Sequence, residues 1–326
     1  MKTDFEQHGL VGRRLGTDDR AWLLTIDFEA FTPEELAKWL EAMSDWARLS
    51  AQGRWRFSIF LAVEDVVRLS RTSKGLYDEF LAAARDLWSS GATFHPHNHG
   101  VFESRTGLLA AVRPQHIPGY RKRASFAYDV IHRHRMKLSE WVPQVVAHYD
   151  GFLVDAQIPR PGRLAFRAGG WDYGDTADAT RAYVQALEAS AFSIDSSASS
   201  GVFGTKSWRV GAPFGSNMFS LSSLVELAPC WSLNCGVGLA TREGAAALAR
   251  LVRQPRVWTT RRAPGAFVTV LHFDQLFRPE GRASPAGVAS RAMVEKRVER
   301  FFELISVLRR TLKLESMSLE NLQVKA

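Results

Sequence analysis

Three histidines stand within a short stretch of the chain, at His95, His97 and His99. They end a short apolar segment, 92–95, that is typical of a buried strand. A catalytic metal site needs imidazoles and a carboxylate that converge on one ion at about 2.0–2.2 Å, with one position left open for water. His95 and His99 can face one point if the chain turns helically after the strand. The spacing predicts a site for one divalent metal, and His97 could replace either neighbour.

Two carboxylates end another apolar segment. Residues 21–28 form an apolar run without helical period, and Asp27 and Glu29 stand at its end. Residues two apart on a strand point to the same face, so both carboxylates can lie beside the histidines. One could bind the metal while the other accepts a proton from water. The pattern leaves open which of the two carboxylates binds the metal and which accepts the proton. Acidic residues are also favourable before a helix N-terminus.

Three more polar residues follow predicted strands: Arg167, Asp195 and His272. Parallel α/β architectures gather functional groups at the carboxyl ends of their strands. We therefore predict that Arg167 lies against Asp27 in a charge-assisted hydrogen bond. His272 is predicted to donate a proton in the reaction, because a histidine titrates near neutrality. Asp195, if within hydrogen-bond reach of His272, would favour the protonated imidazole and fix its tautomer.

These residues must be positioned by alternating strands and helices. The apolar segments predict strands at 21–28, 56–61, 92–95, 163–166, 192–195, 224–227 and 266–272. Helical periodicity and capping patterns predict helices at 33–53, 76–88, 178–190, 243–253 and 291–312. This alternation predicts an α/β fold with a parallel sheet and helical crossovers. About six or seven such units would suit a closed or partly open barrel.

Most of the chain follows this alternation, and we predict a single catalytic domain over residues 1–326. Residues 103–161 depart from it, because they are rich in Arg and His and several prolines interrupt them. This stretch is predicted to be a helical excursion rather than a separate domain. Residues 201–223 are rich in Gly and Ser and are predicted to form a loop or an irregular strand.

The composition is that of an ordinary globular protein. Of the 326 residues, 46% are hydrophobic and 23% are charged, which excludes a disordered, collagen-like or coiled-coil chain. Cys230 and Cys235 are too few for a disulfide framework, and their spacing does not fit a zinc ribbon. Residues 1–14 lack the apolar segment of a signal peptide. No apolar run is long enough to span a membrane, and we expect a cytoplasmic protein.

The net charge favours anionic partners. The chain has 42 Lys and Arg against 34 Asp and Glu, a formal charge of +8. A charge of this size attracts nucleic acid, anionic glycans, nucleotide sugars or a membrane surface without selecting among them. The densest basic stretch, residues 121–135, is short, and no nucleic-acid recognition motif accompanies it. Nucleic acid is therefore not an expected partner.

Taken in order, the polar strand ends resemble the motifs of the polysaccharide deacetylase family (NodB homology, carbohydrate esterase family 4). The resemblance covers residues 22–277 and is to a divergent member with a D-x-E first motif. Its segments are Asp27-Phe28-Glu29, His95-Pro96-His97-Asn98-His99, Phe166-Arg167-Ala168-Gly169-Gly170-Trp171, Asp195-Ser196-Ser197, Leu224-Val225-Glu226-Leu227 and Val270-Leu271-His272. Phe28 stands where the family commonly has a second Asp, and Gly169 and Gly170 stand where it has Pro and an aromatic residue.

The resemblance implies a distorted, incomplete (β/α) barrel of about seven strands. It also implies metal-dependent removal of an acetyl group from an N-acetylated sugar. The sugar would belong to a cell-surface polysaccharide or its precursor and could be anionic. One divalent metal is implied, zinc in the first place, with iron, cobalt, nickel and manganese as alternatives for the same ligands.

The family's roles carry over onto matching positions of this chain. Asp27 would be the general base, oriented by Arg167. His272 would be the general acid, steadied by Asp195. The implied metal ligands are Glu29, His95 and His99.

Two further residues would act on the substrate. A backbone N–H near Gly170 would help to hold the oxyanion, and Trp171 would either stack on a sugar face or pack in the core.

A related hydrolase of a formyl group, another small acyl group or a cyclic amide would use the same catalytic residues. A binding protein that keeps the fold without turnover is an alternative of a different class.

Overall fold

The computed structural model describes residues 9–12, 15, 21–29, 33–101, 126–169, 173–174, 176–197, 218–229, 231–232, 266–272, 276 and 290–324. Its strands are β1 (Ala21–Phe28), β2 (Phe57–Ala62), β3 (Ala92–Asn98), β4 (Ala165–Ala168), β5 (Ile194–Asp195), β6 (Met218–Leu221), β7 (Leu224–Leu227), β8 (Trp231–Ser232), β9 (Phe267–His272) and β10 (Glu315–Ser316). Its longer helices are α1 (Pro33–Gly53), α2 (Val63–Thr72), α3 (Lys74–Ser89), α4 (Leu138–Ala156), α5 (Ala177–Ala189) and α6 (Arg291–Leu312). A π-helix occupies Asp129–Arg133.

The described strands form one curled, mostly parallel sheet. Their order is β6-β7-β5-β4-β3-β2-β1-β9-β8, with β10 beside the start of β1. Of the described pairs, β6–β7 alone is antiparallel. The sheet curls into a half-barrel. The α/β class and the parallel sheet are therefore confirmed, and the short strands β6, β8 and β10 add to the predicted set.

The curl separates an outer core, between the sheet and the helices, from an inner core inside the curl. Successive residues of β1 enter different cores, because neighbouring side chains on a strand point to opposite faces. Leu24 and Ile26 join the outer core, whereas Leu23 joins the inner one. All eight residues of β1 are buried, as its continuous apolar run predicts for a strand covered on both faces.

Strand β3 runs to Asn98 and does not end at His95 as predicted. Pairing with both neighbours explains its length. His95 pairs with a residue of β2, and His97 and Asn98 pair with Arg167 and Ala168 of β4. The chain stays extended where the sequence suggested a helical turn, so His95 and His97 point to the same face of the sheet.

The helices cover the outer face of the sheet. α1 begins at Pro33 and buries its apolar stripe, as predicted. α4 connects β3 to β4 and packs against β3 and α5, so the later part of the predicted excursion is a crossover helix. α2, which directly follows β2, was not predicted. The predicted helix at 243–253 lies outside the described residues, and the assignment of the whole chain to one domain stays a prediction.

Candidate metal centre

Four strand ends meet at one edge of the curled sheet. β1 and β9 are neighbours, so Asp27 pairs with His272. β3 and β4 are neighbours, so His97 pairs with Arg167. The curl brings β4 towards β1. Arg167 of β4 hydrogen-bonds to Asp27 of β1, although β3 and β2 lie between these two strands in the sheet. Polar residues from distant parts of the chain therefore share one space.

Glu29, His97 and His99 converge on a small volume. His97 Nε2 lies 3.1 Å and His99 Nε2 lies 3.4 Å from the same oxygen, Glu29 Oε1. The ligand atoms of these three residues lie within 4.8 Å of one another, as do those of Asp27, Glu29 and His272. His97 is buried, and Glu29 and His99 are partly buried. One carboxylate and two imidazoles thus face a common point.

The other ring nitrogen of each of these histidines is already occupied. His97 Nδ1 lies 2.8 Å from the carbonyl oxygen of Arg167, and His99 Nδ1 lies 2.5 Å from Glu64 Oε1. Because a carbonyl and a carboxylate only accept, both Nδ1 atoms carry a proton and donate it. When a metal is bound, each ring would be neutral and would present the lone pair of Nε2 on the side of Glu29. Protons or a metal ion must therefore lie between the two Nε2 atoms and Glu29 Oε1.

The electrostatics of the pocket favour positive charge. Burial by itself would raise the pKa of Glu29, but hydrogen bonds with His97 and His99 hold that pKa well below its ordinary value. Burial would lower the pKa of His99, but interactions with Glu64 and Glu29 raise it well above its ordinary value. Two imidazoles and one carboxylate are a donor set that fits zinc and similar divalent metals. Three protein ligands also leave a coordination position open, as catalytic sites do.

His95 does not belong to this group. It lies two residues before His97 on the same face and therefore deeper in the curl, where it is buried. Its Nδ1 lies 3.4 Å from the backbone N–H nitrogen of Ala165, and its Nε2 lies 3.2 Å from Thr93 Oγ1. Burial lowers the pKa of His95 to about 3, so the ring stays neutral. Because β3 stays extended, we correct the candidate ligands to Glu29, His97 and His99.

The predicted contact between Arg167 and Asp27 is confirmed, and both side chains are buried. One guanidinium nitrogen donates to Asp27 Oδ1. Another donates to Thr25 Oγ1 and Ser196 Oγ, each at 2.9 Å. The guanidinium carbon lies 3.9 Å from the ring centroid of Phe60. Arg167 is held from several sides, and it holds one oxygen of Asp27 in place.

His272 faces the same space from β9. Its Nε2 lies 3.8 Å from Asp27 Oδ2, and its side chain is 22% exposed. Asp27 Oδ1 is taken by Arg167, so the two carboxylate oxygens face different partners. The imidazole is thus beside the carboxylate and also accessible to a ligand. This placement agrees with a proton donor, and the role itself stays a prediction.

Asp195 lies on the other face of the sheet. On β5, Ile194 enters the inner core, so the next side chain must face the helices. The Asp195 carboxylate accepts hydrogen bonds from Tyr183 of α5 at 2.8 Å and from Ser197 Oγ at 2.6 Å. Burial raises the pKa of Asp195. The prediction that Asp195 steadies His272 is therefore wrong.

The two predicted substrate-binding residues, Gly170 and Trp171, lie outside the described residues. Gly169 immediately precedes them and lies against His99. A Cβ added at Gly169 would lie 2.3 Å from His99 Cδ2 and 2.7 Å from His99 Cα. Only a residue without a side chain fits there unless His99 shifts, which is a physical reason for a glycine at this position.

Glu64 is a site residue that the sequence analysis missed. It is the second residue of α2 and contacts both His99 and Asn98. The available signal was an acid two residues after β2, whose carboxyl end reaches the same edge as the other polar strand ends. Because α2 was not predicted, nothing in the sequence placed this acid on a helix that begins beside the site.

None of the helices in the described ranges is both long and apolar enough to cross a membrane. No protein-family model matches this chain, and neither a curated protein nor a solved structure matches it. The assignment of a function therefore depends on the geometry of the site and on the sequence motifs.

Proposed function

We propose that this protein is a metal-dependent hydrolase that removes the N-acetyl group from a sugar of a cell-surface polysaccharide or of its precursor. The observation that carries the proposal is the convergence of His97 Nε2 and His99 Nε2 on Glu29 Oε1, at 3.1 and 3.4 Å. The choice of reaction is supported by the ordered motifs that resemble those of polysaccharide deacetylases. The half-barrel is compatible with the incomplete barrel of that family.

Glu29, His97 and His99 would hold one divalent metal, zinc in the first place. When bound, the ion would supply Lewis-acid catalysis by polarising the acyl carbonyl and acidifying water. The second nitrogen of each imidazole is hydrogen-bonded, which holds the rings in the orientation that ligation needs. The chain's own residues would perform the proton transfers.

Asp27 would accept the proton of the attacking water. Arg167 holds Oδ1, and Oδ2 lies towards His272, next to the candidate ligands. Water adds to the acyl carbon as its proton passes to Asp27. His272 then donates a proton to the amine nitrogen as the C–N bond breaks, so that acetate and a free amino sugar leave.

The substrate class is supported more weakly than the reaction class. A formyl group, another small acyl group or a cyclic amide would meet the same water, base and acid. The net charge of +8 favours an anionic sugar or a nucleotide- or phosphate-linked precursor over a neutral one. A panel of polymer-, lipid- and nucleotide-linked N-acetyl sugars, with formyl and cyclic-amide compounds beside them, would separate these possibilities.

The proposal is tested by metal analysis together with acetate release. The zinc-loaded chain is expected to hold one zinc and to release acetate from an N-acetylated sugar of the panel. EDTA should abolish the release, and added zinc should restore it. His97→Ala removes a ligand and should lose both zinc and activity, whereas His132→Ala, at an exposed histidine of the π-helix, should keep both.

Three results would redirect the proposal. A chain that binds neither zinc nor iron, cobalt, nickel or manganese would exclude a metal-dependent reaction. Zinc binding with hydrolysis of a formyl or cyclic-amide compound alone would change the substrate class. Zinc binding without turnover of any compound of the panel would favour a binding protein that keeps the site.

A further inference from the structure

Glu64 is a buried carboxylate that the proposed reaction does not use. Its side chain is fully buried at the second position of α2. Asn98 Nδ2 donates to its Oε2 at 2.8 Å. The backbone N–H and the Nδ1–H of His99 both donate to its Oε1, at 3.1 and 2.5 Å. The Asn98 amide nitrogen and the His99 backbone N–H can only donate, so both oxygens of Glu64 act as hydrogen-bond acceptors.

Asn98 is locked in the orientation that faces Glu64. Its Oδ1 accepts hydrogen bonds from the N–H of Gly100 at 2.8 Å and from Trp141 Nε1 at 3.1 Å. Its Nδ2 also donates to the carbonyl of Val101 at 2.8 Å. These contacts decide which end of the amide points at the carboxylate. Glu64 is therefore held from β3 as well as from its own helix, whose first turn also favours an anion.

We propose that Glu64 is a positioning residue that holds His99 as a metal ligand, an inference that rests on the proposed metal-dependent function. By accepting a hydrogen bond from Nδ1–H, Glu64 would keep the lone pair of the metal-bound ring at Nε2, the nitrogen that faces Glu29. Its negative charge makes that nitrogen a stronger donor to a metal. The same oxygen also binds the backbone N–H of His99, so the ring and the main chain are fixed together.

The two histidine ligands differ in the partner of Nδ1. His97 donates to a neutral backbone carbonyl, that of Arg167, whereas His99 donates to a charged carboxylate. A carboxylate partner raises the basicity of an imidazole more than a carbonyl does. We therefore expect Glu64 to act through its charge and not only by filling space. A substitution that keeps the shape and removes the charge separates the two effects.

The test compares Glu64→Gln with Asp65→Asn. Both changes remove one negative charge from the first turn of α2 with little change of shape, but Asp65 forms its ion pair with Arg68, at 3.1 Å. Zinc affinity of the full chain is measured by competition with a chromophoric chelator. The affinity is expected to fall by about 10- to 100-fold in Glu64→Gln. In Asp65→Asn it should fall by less than about fivefold.

The outcomes separate this inference from the proposed function. A Glu64→Gln affinity equal to that of Asp65→Asn overturns the role of Glu64 and leaves the metal site intact. A wild-type chain that binds neither zinc nor any of the alternative divalent metals overturns the proposed function instead. If Glu64→Gln does not fold, nitrogen NMR of the zinc-loaded wild-type protein tests the inference by showing which ring nitrogen of His99 carries the proton. His99 is expected to carry its proton on Nδ1, and a proton on Nε2 overturns the inference.

Discussion

Arg167 joins the two halves of the candidate site. Its carbonyl oxygen receives the Nδ1–H of His97, and its guanidinium binds Asp27. The guanidinium is buried, but its donors reach Asp27, Thr25 and Ser196. A buried charge is tolerated when it is paired and hydrogen-bonded. One residue therefore orients a candidate metal ligand through its main chain and the proposed base through its side chain.

His272→Ala separates the proton donor from the metal ligands. Because Glu29, His97 and His99 remain, the variant should keep its zinc. Without an acid to protonate the leaving amine, acetate release from the best N-acetyl sugar should fall by about 10²-fold or more. Zinc content and initial rates of acetate release are the measurements. An unchanged rate would remove the role, and a loss of zinc would make His272 a ligand.

His95 should make the stability of the protein depend on pH. Burial and the charge of Arg167 lower its pKa from 6.5 to about 3 in the folded chain. Below pH 6.5 the unfolded chain takes up a proton at this residue and the folded chain does not. The free energy of unfolding therefore falls with decreasing pH. Between pH 7 and pH 5 the contribution of this residue is about 2 kcal/mol.

The check is urea unfolding of the metal-free protein at both pH values. His95→Asn removes the imidazole and leaves a side-chain oxygen to accept from the N–H of Ala165. The loss of stability between the two pH values should be smaller in His95→Asn than in the wild type by about 2 kcal/mol. Equal losses in the two proteins would show that the ring is protonated in the folded state or titrates as in the unfolded chain.

At the scale of elements, the two-residue period of the strands decides which side chains reach the site. On β3 it directs His95 and His97 to the inner face, with His95 one step deeper. On β5 it turns Asp195 towards α5 and leaves Ser196 to contact Arg167. The end of β4 contributes in a different way, because Gly169 lets its main chain approach His99. Strand registers and close backbone approach therefore select the site from a larger set of polar residues.

Gly169→Ala should weaken metal binding although it removes no ligand atom. The added methyl group would lie 2.3 Å from His99 Cδ2, so the ring must leave the position in which its Nε2 faces Glu29. Zinc affinity is expected to fall by about tenfold or more. Gly151→Ala is the matched control, because a Cβ at Gly151 meets no heavy atom within 4 Å. It lies inside α4 and should stabilise the protein by about 0.5–1 kcal/mol at unchanged zinc affinity. Equal affinities in the two variants would contradict the steric argument.

At the scale of the whole molecule, the candidate site exists only when the sheet is curled. Asp27 and His272 lie far apart in the sequence and meet because β1 and β9 pair. Arg167 reaches Asp27 across the inside of the curl. The unfolded chain holds these groups far apart, so a metal that binds the assembled ligands binds the folded state preferentially. Metal binding should therefore stabilise the entire fold.

Zinc is expected to raise the free energy of unfolding by about 2.7 kcal/mol when free zinc exceeds its Kd by 100-fold. Denaturant unfolding with zinc and with EDTA measures the difference. His97→Ala should show the same stability in both conditions, since it lacks a ligand. A zinc-dependent rise that survives in His97→Ala would place the stabilising ion elsewhere in the molecule.

The sequence by itself determined the main elements and the principal polar contact of the site. Continuous apolar runs identify strands buried on both faces, and helical stripes identify α1, α3, α5 and α6, because both patterns depend on local spacing. The position of polar residues after strands predicted that Asp27, Glu29, His99, Arg167 and His272 lie at one edge. The pairing of Arg167 with Asp27 followed from their positions at strand ends and is confirmed.

The tertiary structure decided which residues complete the site. Whether β3 ends at His95 or continues to Asn98 depends on pairing with β4, which is 70 residues away between His97 and Arg167. That pairing makes His97 the neighbour of Glu29 in place of His95. The outward turn of Asp195 depends on where β5 joins the sheet, and the approach of Glu64 to His99 depends on the start of α2 beside β3. Local spacing carries no information on such registers, because they are set by contacts between segments far apart in the chain.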